Sequence, residues 1–134
     1  MNVIVDTAVW SLALRRHPPD QNQEIISQLQ GLIQSDRVLI MGAIRQEILS
    51  GIRNPDQFNR LRDTLRAFPD IELYSEDYEK AADFFNICRQ KGIQGSNTDY
   101  LICAVPSRCN SLIFTTDRDF QNFQPYIPVR LFDK

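Results

Sequence analysis

Four acidic residues stand where carboxylates could act together on a metal ion: Asp6, Glu47, Asp99 and Asp117. Asp6 directly follows the apolar run at residues 2–5, and Asp117 comes just after another at residues 112–115. If both runs are parallel strands, the two carboxylates emerge at the same sheet edge, where open α/β sheets bind ligands. For either aspartate alone, capping of the following helix is an equally good interpretation.

Glu47 lies at the border of a stripe of isoleucines spaced by four within residues 44–52. This position predicts at least partial burial. A buried carboxylate needs a partner, because an unpaired one takes up a proton or costs several kcal/mol. Salt bridges to Arg45 or Arg53 remain an alternative to a functional role.

Asp99 opens the most apolar helix of the chain, which continues through residues 100–105. The helix dipole alone could favour an acid there. A helix this apolar should be buried nearly all round, however, and its first turn should then point to the sheet edge where Asp6 and Asp117 emerge. Carboxylates that converge without basic compensation raise each other's pKa unless a divalent cation lies among them, and such oxygen ligands suit Mg²⁺ or Mn²⁺.

Other kinds of catalytic centre find little support. The three cysteines, Cys88, Cys103 and Cys109, show no CxxC spacing, and the single histidine, His17, lies far from them. A zinc site or a histidine-based catalytic triad is therefore not expected, and glycine-rich phosphate loops are absent. We interpret the cysteines as free thiols in a reducing cytosol.

Strands and helices alternate along the chain. Strands are predicted at residues 2–5, 37–41, 71–73, 111–115 and 129–131, and helices in between, the first of them over residues 7–16 before a break at Pro18-Pro19. This order predicts one α/β domain over residues 1–134, with a central, mostly parallel sheet of four to five strands flanked by helices. Pro106 should kink or end the helix that starts at Asp99.

Composition limits the remaining possibilities. The chain has 134 residues, 43% of them apolar, and a formal net charge of −2. This is enough for one hydrophobic core without disulfides. No apolar run is long enough to cross a membrane and no secretory signal is seen, so we expect a cytoplasmic protein.

Four segments together resemble the acidic motifs of PIN domains, in the style of the VapC toxins of bacterial type II toxin–antitoxin pairs. They are Val5-Asp6-Thr7-Ala8-Val9-Trp10, Arg45-Gln46-Glu47-Ile48-Leu49-Ser50-Gly51, Thr98-Asp99-Tyr100-Leu101-Ile102 and Thr115-Thr116-Asp117-Arg118-Asp119-Phe120. No single segment is specific, but all four occur in the expected order and span the chain. Pro106 departs from the small residue usual in its helix.

The resemblance implies a metal-dependent endoribonuclease in which the four acids hold one or two Mg²⁺ ions, or Mn²⁺ in their place. It also implies supporting roles for Thr7, Thr115 and Asp119, although helix capping is an alternative for Asp119. The implied partners are an RNA substrate, a cognate antitoxin protein and a second copy of the chain in a homodimer.

Some alternatives stay open. The fold could serve a catalytically silent PIN-type RNA-binding module or a housekeeping nuclease that is no toxin. A response-regulator-like receiver is not favoured, because it needs a lysine directly after a late strand. The lysines of this chain are Lys80, Lys91 and Lys134.

Charge and apolar patterns leave two further choices. Arg15, Arg16 and the arginines of residues 53–66 could guide RNA, or could form an ordinary solvated surface. The apolar residues of segment 10–14, with the helix at 25–33, could form either an interface or part of the core.

Overall fold

The apolar run at the start of the chain forms the middle strand of a parallel sheet. The computed structural model describes residues 1–14 and 20–133. In it, β1 (Asn2–Val5) lies between β2 (Val38–Leu39) and β3 (Ser111–Phe114) and pairs in parallel with both. Three residues of β1 are fully buried, as a strand covered on both faces requires.

Helices flank this sheet and alternate with its strands, which confirms the predicted α/β class. In the described part of the chain they are α1 (Thr7–Ala13), α2 (Gln23–Gln34), α3 (Gly42–Leu49), α4 (Pro55–Leu65), α5 (Ser75–Gln90), α6 (Asn97–Cys109) and α7 (Asp119–Phe123). The predicted end of the first helix, the break at Pro18-Pro19 and His17 lie outside the described residues. No described helix has the length and apolarity that a bilayer span requires.

The sheet has fewer full strands than the four to five predicted. The expected strands at residues 71–73 and 129–131 are reduced to single bridges, Ile40 with Asp70 and Ile113 with Leu131. Pro69 has no N–H to extend the first bridge towards β2, and α3 begins at Gly42 on its other side. The second bridge consists of two hydrogen bonds, from the N–H of Ile113 to the carbonyl of Arg130 at 2.8 Å and from the N–H of Phe132 to the carbonyl of Ile113 at 2.7 Å.

The helix that carries Asp99 is buried almost all round, as predicted. Seven consecutive residues of α6, from Tyr100 to Pro106, are buried. Of the two effects expected of Pro106, a kink or an early end, the early end does not occur: α6 continues to Cys109 and is capped by Asn110 in the left-handed conformation (φ 50°). The burial of this helix outweighs the one backbone hydrogen bond that the proline removes.

An ion pair between a buried aspartate and a partly exposed arginine fixes the far end of α6. Both nitrogens of the Arg108 fork donate to Asp77, Nε to Oδ1 at 2.9 Å and Nη2 to Oδ2 at 2.8 Å. Arg108 also lies over the ring of Tyr74, at 4.6 Å from its centroid. Since Asp77 belongs to α5, this pair joins the two longest helices and orients α6 towards the sheet edge.

The apolar residues considered for an interface, in segment 10–14 and in α2, divide between core and surface. Trp10 is buried and packs edge-on against Phe68, with ring centroids 5.3 Å apart. Leu14 and Ile33 keep 41% and 38% of their surface exposed. The core interpretation therefore holds for Trp10, and these two exposed side chains are left available to a partner.

Candidate functional site

A polar cavity of about 660 Å³ opens at the carboxyl ends of the strands, and all four predicted acids line it. Asp6 reaches it from the end of β1, Asp117 from the loop after β3, Asp99 from the first turn of α6 and Glu47 from α3. Parallel strands bring residues distant in sequence to one edge, which is how four separate segments come to share one space.

Asp6 is the most enclosed of these acids, with 5% of its surface exposed. Its Oδ1 accepts a 2.8 Å hydrogen bond from the backbone N–H of Thr7, and its Oδ2 accepts one of 2.7 Å from the hydroxyl of Thr115. Asp6 is also the N-cap of α1. Capping and a place in the acidic cavity are therefore compatible, rather than alternatives.

Burial raises the pKa of the Asp6 carboxyl above its ordinary value. The hydrogen bonds from Thr115 and Thr7 oppose this rise, whereas the nearby carboxylates of Asp99 and Asp117 add to it. A cation close to these groups would offset the repulsion.

Asp99 caps its own helix and still faces the cavity. Its Oδ2 accepts from the backbone N–H of Ser96, while the hydroxyl of Ser96 accepts from the N–H of Asp99, both at 3.1 Å. This reciprocal pair uses Oδ2 and fixes the carboxylate. Burial raises the pKa of Asp99, and the carboxylates of Asp117 and Asp119 raise it further against the opposing bonds from Ser96.

Glu47 differs from the prediction because it is exposed rather than partly buried. The buried side of α3 is carried by Ile44 and Ile48, and Glu47 falls beyond that stripe at the cavity rim. Its Oε1 accepts a 2.6 Å hydrogen bond from the hydroxyl of Thr7.

The salt bridges considered for Glu47 are not seen among the described residues. Arg45 instead donates to Asp70 at 2.9 Å and to the carbonyl of Phe68 at 2.6 Å. No described arginine or lysine forms an ion pair with Asp6, Glu47, Asp99 or Asp117.

A third aspartate joins two of the predicted acids. Asp99, Asp117 and Asp119 each place one carboxylate oxygen within 4.8 Å of the others. Asp117 is held on both sides: its N–H donates to the hydroxyl of Thr115 at 3.0 Å, and its Oδ1 accepts from the N–H of Asp119 at 2.9 Å. Asp119 is also the first residue of α7, so it can serve the start of this helix and still lie beside the other acids.

These residues fit a hard divalent cation. The closely spaced oxygens of the three aspartates are the ligands that Mg²⁺ and Mn²⁺ prefer, and the carboxylate of Asp6 faces the same cavity. Within residues 1–14 and 20–133, no lysine, arginine or histidine lines the cavity. The described lining would therefore leave the negative charge uncompensated if all the acids were ionised.

Several polar residues of the cavity were not singled out from the sequence. They are Gln46, Ser50, Ser96 and Thr98. The spacing of Ser96 and Asp99 matches a capping box, so that motif could have pointed to Ser96. No motif points to Gln46 and Ser50. Their only indication in the sequence is that they lie one helical turn apart, with Glu47 between them.

Two of the arginines considered for guiding RNA form ion pairs with an acidic residue. Arg62 and Arg66 approach Asp63 at 3.1 and 3.9 Å, which neutralises part of the charge on α4. Arg15 and Arg16 lie outside the described residues. Guidance of RNA by this surface stays a prediction.

The fold agrees with solved structures of known proteins. FitAcB from Neisseria gonorrhoeae is 20% identical with a TM-score of 0.76, covering 98% of this chain and 96% of its own. VapBC2 from Rickettsia felis, bound to a promoter DNA fragment, is 19% identical with a TM-score of 0.77, covering 100% and 99%. VapBC-1 from nontypeable Haemophilus influenzae is 17% identical with a TM-score of 0.76, covering 99% and 98%.

Sequence comparison identifies the family directly. No curated protein matches the chain significantly. A family model described as PIN domain matches residues 3–124, a span that contains all four acidic segments. The chain belongs to the PIN domain family.

Proposed function

We propose that this protein is an endoribonuclease that depends on a divalent cation and serves as the toxin of a type II toxin–antitoxin pair. The observation that carries the proposal is the convergence of Asp6, Glu47, Asp99 and Asp117 in one cavity to which none of the described basic residues contributes a side chain. Membership of the PIN family supports nuclease activity, and the VapC-like motifs support RNA as the substrate.

Asp99, Asp117 and Asp119, with Asp6 beside them, would hold Mg²⁺ or Mn²⁺. When bound, such an ion polarises a phosphate and lowers the pKa of a coordinated water. Hydroxyls of the chain keep the acids in position, with Thr115 holding Asp6 and Thr7 holding Glu47. Residues of this kind commonly change metal affinity or activity 10- to 100-fold when they are removed.

Glu47 has a different place from the aspartates and we assign it a different task. It lies at the exposed rim, and the hydrogen bond from Thr7 engages only Oε1. No described residue hydrogen-bonds to its Oε2, so this oxygen would accept the proton of a water molecule that attacks the phosphodiester, while the leaving ribose oxygen takes up a proton from solvent as its bond to phosphorus breaks.

The proposed partners follow from the resemblance. Solved structures with this fold include two named VapBC complexes, which supports a cognate antitoxin as a partner. A homodimer and a cytoplasmic location complete the proposal, and exposed Leu14 and Ile33 offer apolar contacts for either protein partner.

The decisive experiment mixes the purified chain with total cellular RNA in Mg²⁺ or Mn²⁺ and maps new RNA ends by sequencing. Cleavage that EDTA abolishes, and that Asp6→Asn and Asp99→Asn variants lack, is the expected result. Cleavage that survives EDTA or either substitution would contradict the proposal. Binding of RNA without any cleavage would favour the silent binding module instead.

A further inference from the structure

A second cavity, of about 400 Å³, lies beside the acidic one, between α5 and the start of α6. Its size falls within the range of about 300 to 1,000 Å³ that is typical of small-ligand sites. Thr98 lines both cavities, so the two spaces are neighbours across one side chain. A ligand in the second cavity would therefore extend from a group held at the acids.

The lining combines aromatic surface with free amides. Tyr78, which is 56% exposed, and Phe85 provide rings, and the alanines of α5 leave space between them and Leu101. The side chains of Asn86 and Asn97 make no hydrogen bond within residues 1–14 and 20–133, although each could both donate and accept.

Charge favours a base over a phosphate in this cavity. No charged side chain of the described residues lines it, and exposed Glu79 and Asp83 on the same helix would repel a phosphate. Arg89 stands at its margin, with its guanidinium 4.9 Å from the ring centroid of Phe85. Arg89 forms no salt bridge with any described carboxylate and could contact a flanking phosphate.

We propose that the second cavity binds one unpaired nucleobase of the RNA, next to the phosphate held at the acids. The proposal rests on the proposed function for the substrate class. Aromatic side chains stack on unpaired bases in RNA-binding proteins, and amides hydrogen-bond to base edges. Tyr78 would stack on the base, and Asn86 and Asn97 would read its edge, so that these residues set the preference for the nucleotide beside the cleaved bond.

The test measures binding apart from cleavage. A short fluorescent single-stranded RNA is titrated in Mg²⁺ against the full chain carrying Glu47→Gln, a change that removes the proposed proton acceptor and leaves the aspartates of the cation site in place. Adding Tyr78→Ala should weaken binding by about 5- to 100-fold, the usual effect of losing one stacked base. Tyr78→Phe should restore it, and Asn86→Ala should also weaken it. Tyr126→Ala is the matched control, because Tyr126 is similarly exposed but lines neither cavity.

The same variants in the active protein should raise KM more than they lower kcat. Unchanged RNA binding in Tyr78→Ala and Asn86→Ala, or no binding of single-stranded RNA at all, would overturn the proposal. It would also be overturned if Tyr78→Ala turned a dimer into a monomer by light scattering, because the cavity would then be an interface between copies. If the wild-type chain cleaves no RNA but Tyr78→Ala still weakens binding, the nuclease proposal fails while the base site stands.

Discussion

The hydroxyl of Thr115 connects the first and the last acidic segments of the chain. It donates a 2.7 Å hydrogen bond to Oδ2 of Asp6 and accepts one of 3.0 Å from the backbone N–H of Asp117. One side chain just after β3 thus links two acidic residues that follow neighbouring strands. The described contacts of the acids in this cavity are hydrogen bonds from hydroxyls and backbone N–H groups.

Removing the hydroxyl of Thr115 should weaken metal binding by the cavity. In Thr115→Val, Asp6 loses a hydrogen bond and the backbone N–H of Asp117 loses its acceptor, so we expect Mn²⁺ affinity to fall about 10- to 100-fold. Calorimetric titration with Mn²⁺ measures this. Thr115→Ser, which keeps the hydroxyl, should stay close to wild type, and an unchanged affinity in Thr115→Val would show that the link has no role in metal binding.

The raised pKa of Asp6 predicts that its charge destabilises the metal-free protein. Because the folded state favours the protonated form relative to the unfolded chain, stability is lost as the pH rises from about 3.8 through the raised pKa. Asp6→Asn should therefore raise Tm in EDTA, by more at pH 7 than at pH 4. Calorimetric melting at the two pH values measures the difference.

With divalent cations present, the Tm of wild type should instead exceed that of Asp6→Asn. Mg²⁺ stabilises wild type by binding the folded state, whereas Asp6→Asn should gain little from it. Glu79→Gln, a change on the exposed side of α5, is the matched control and should behave as wild type throughout. A Tm of Asp6→Asn below that of wild type in EDTA at pH 7 would refute the argument that the buried charge of Asp6 destabilises the protein.

The ion pair of Asp77 and Arg108 predicts the opposite dependence on pH. Hydrogen bonds from Arg108 hold the pKa of Asp77 below its ordinary value, so this stabilisation is present above about pH 3.8 and is lost as the pH falls through the lowered pKa. Arg108→Met leaves the buried carboxylate unpaired and should cost about 3 kcal/mol. This is the lower end of the usual range, because the Arg108 side chain keeps 34% of its surface exposed.

Urea unfolding at neutral pH measures that cost. Arg66→Met is the control, since its exposed pair with Asp63 at 3.9 Å should be worth less than about 0.5 kcal/mol. Equal effects of the two substitutions would mean that the pair of Asp77 and Arg108 does not anchor α6.

Gly95 packs where a side chain does not fit. A Cβ there would lie 2.6 Å from Cζ of Phe123, a fully buried ring that cannot easily move. Gly95→Ala should therefore destabilise the fold by about 1 to 3 kcal/mol and, by displacing Ser96, disturb Asp99 and weaken Mn²⁺ binding. Gly31→Ala meets no atom within 4 Å in the middle of α2 and should instead stabilise slightly. Urea unfolding of the two variants decides between these outcomes, and a neutral Gly95→Ala would show that the ring can adjust.

The order of elements was readable because each depends on local pattern. The β-branched run at residues 2–5 and the apolar stretch after Asp99 both fold as predicted, because segments composed almost entirely of apolar residues are expected to be buried on all sides. The convergence of the acids could be inferred for the same reason, because a parallel sheet fixes where the residue after each strand must lie.

What the sequence did not reveal depends on contacts between distant segments. Whether residues 71–73 and 129–131 form strands depends on partners on another element, and only single bridges form. The exposure of Glu47 depends on what packs beside the buried stripe of Ile44 and Ile48 on α3, which periodicity alone does not determine. Burial of α6 likewise carries it past Pro106, against the local cost of that residue.

Binding of Mn²⁺ to the intact chain tests the central claim most directly. Electron paramagnetic resonance measures free Mn²⁺ during titration of wild type and of Asp99→Asn and Asp117→Asn variants, with Glu79→Gln as control. We predict specific binding to wild type and to the control, and its loss in both aspartate variants. Undiminished Mn²⁺ binding in either variant would contradict the claim that these carboxylates act as one cation site.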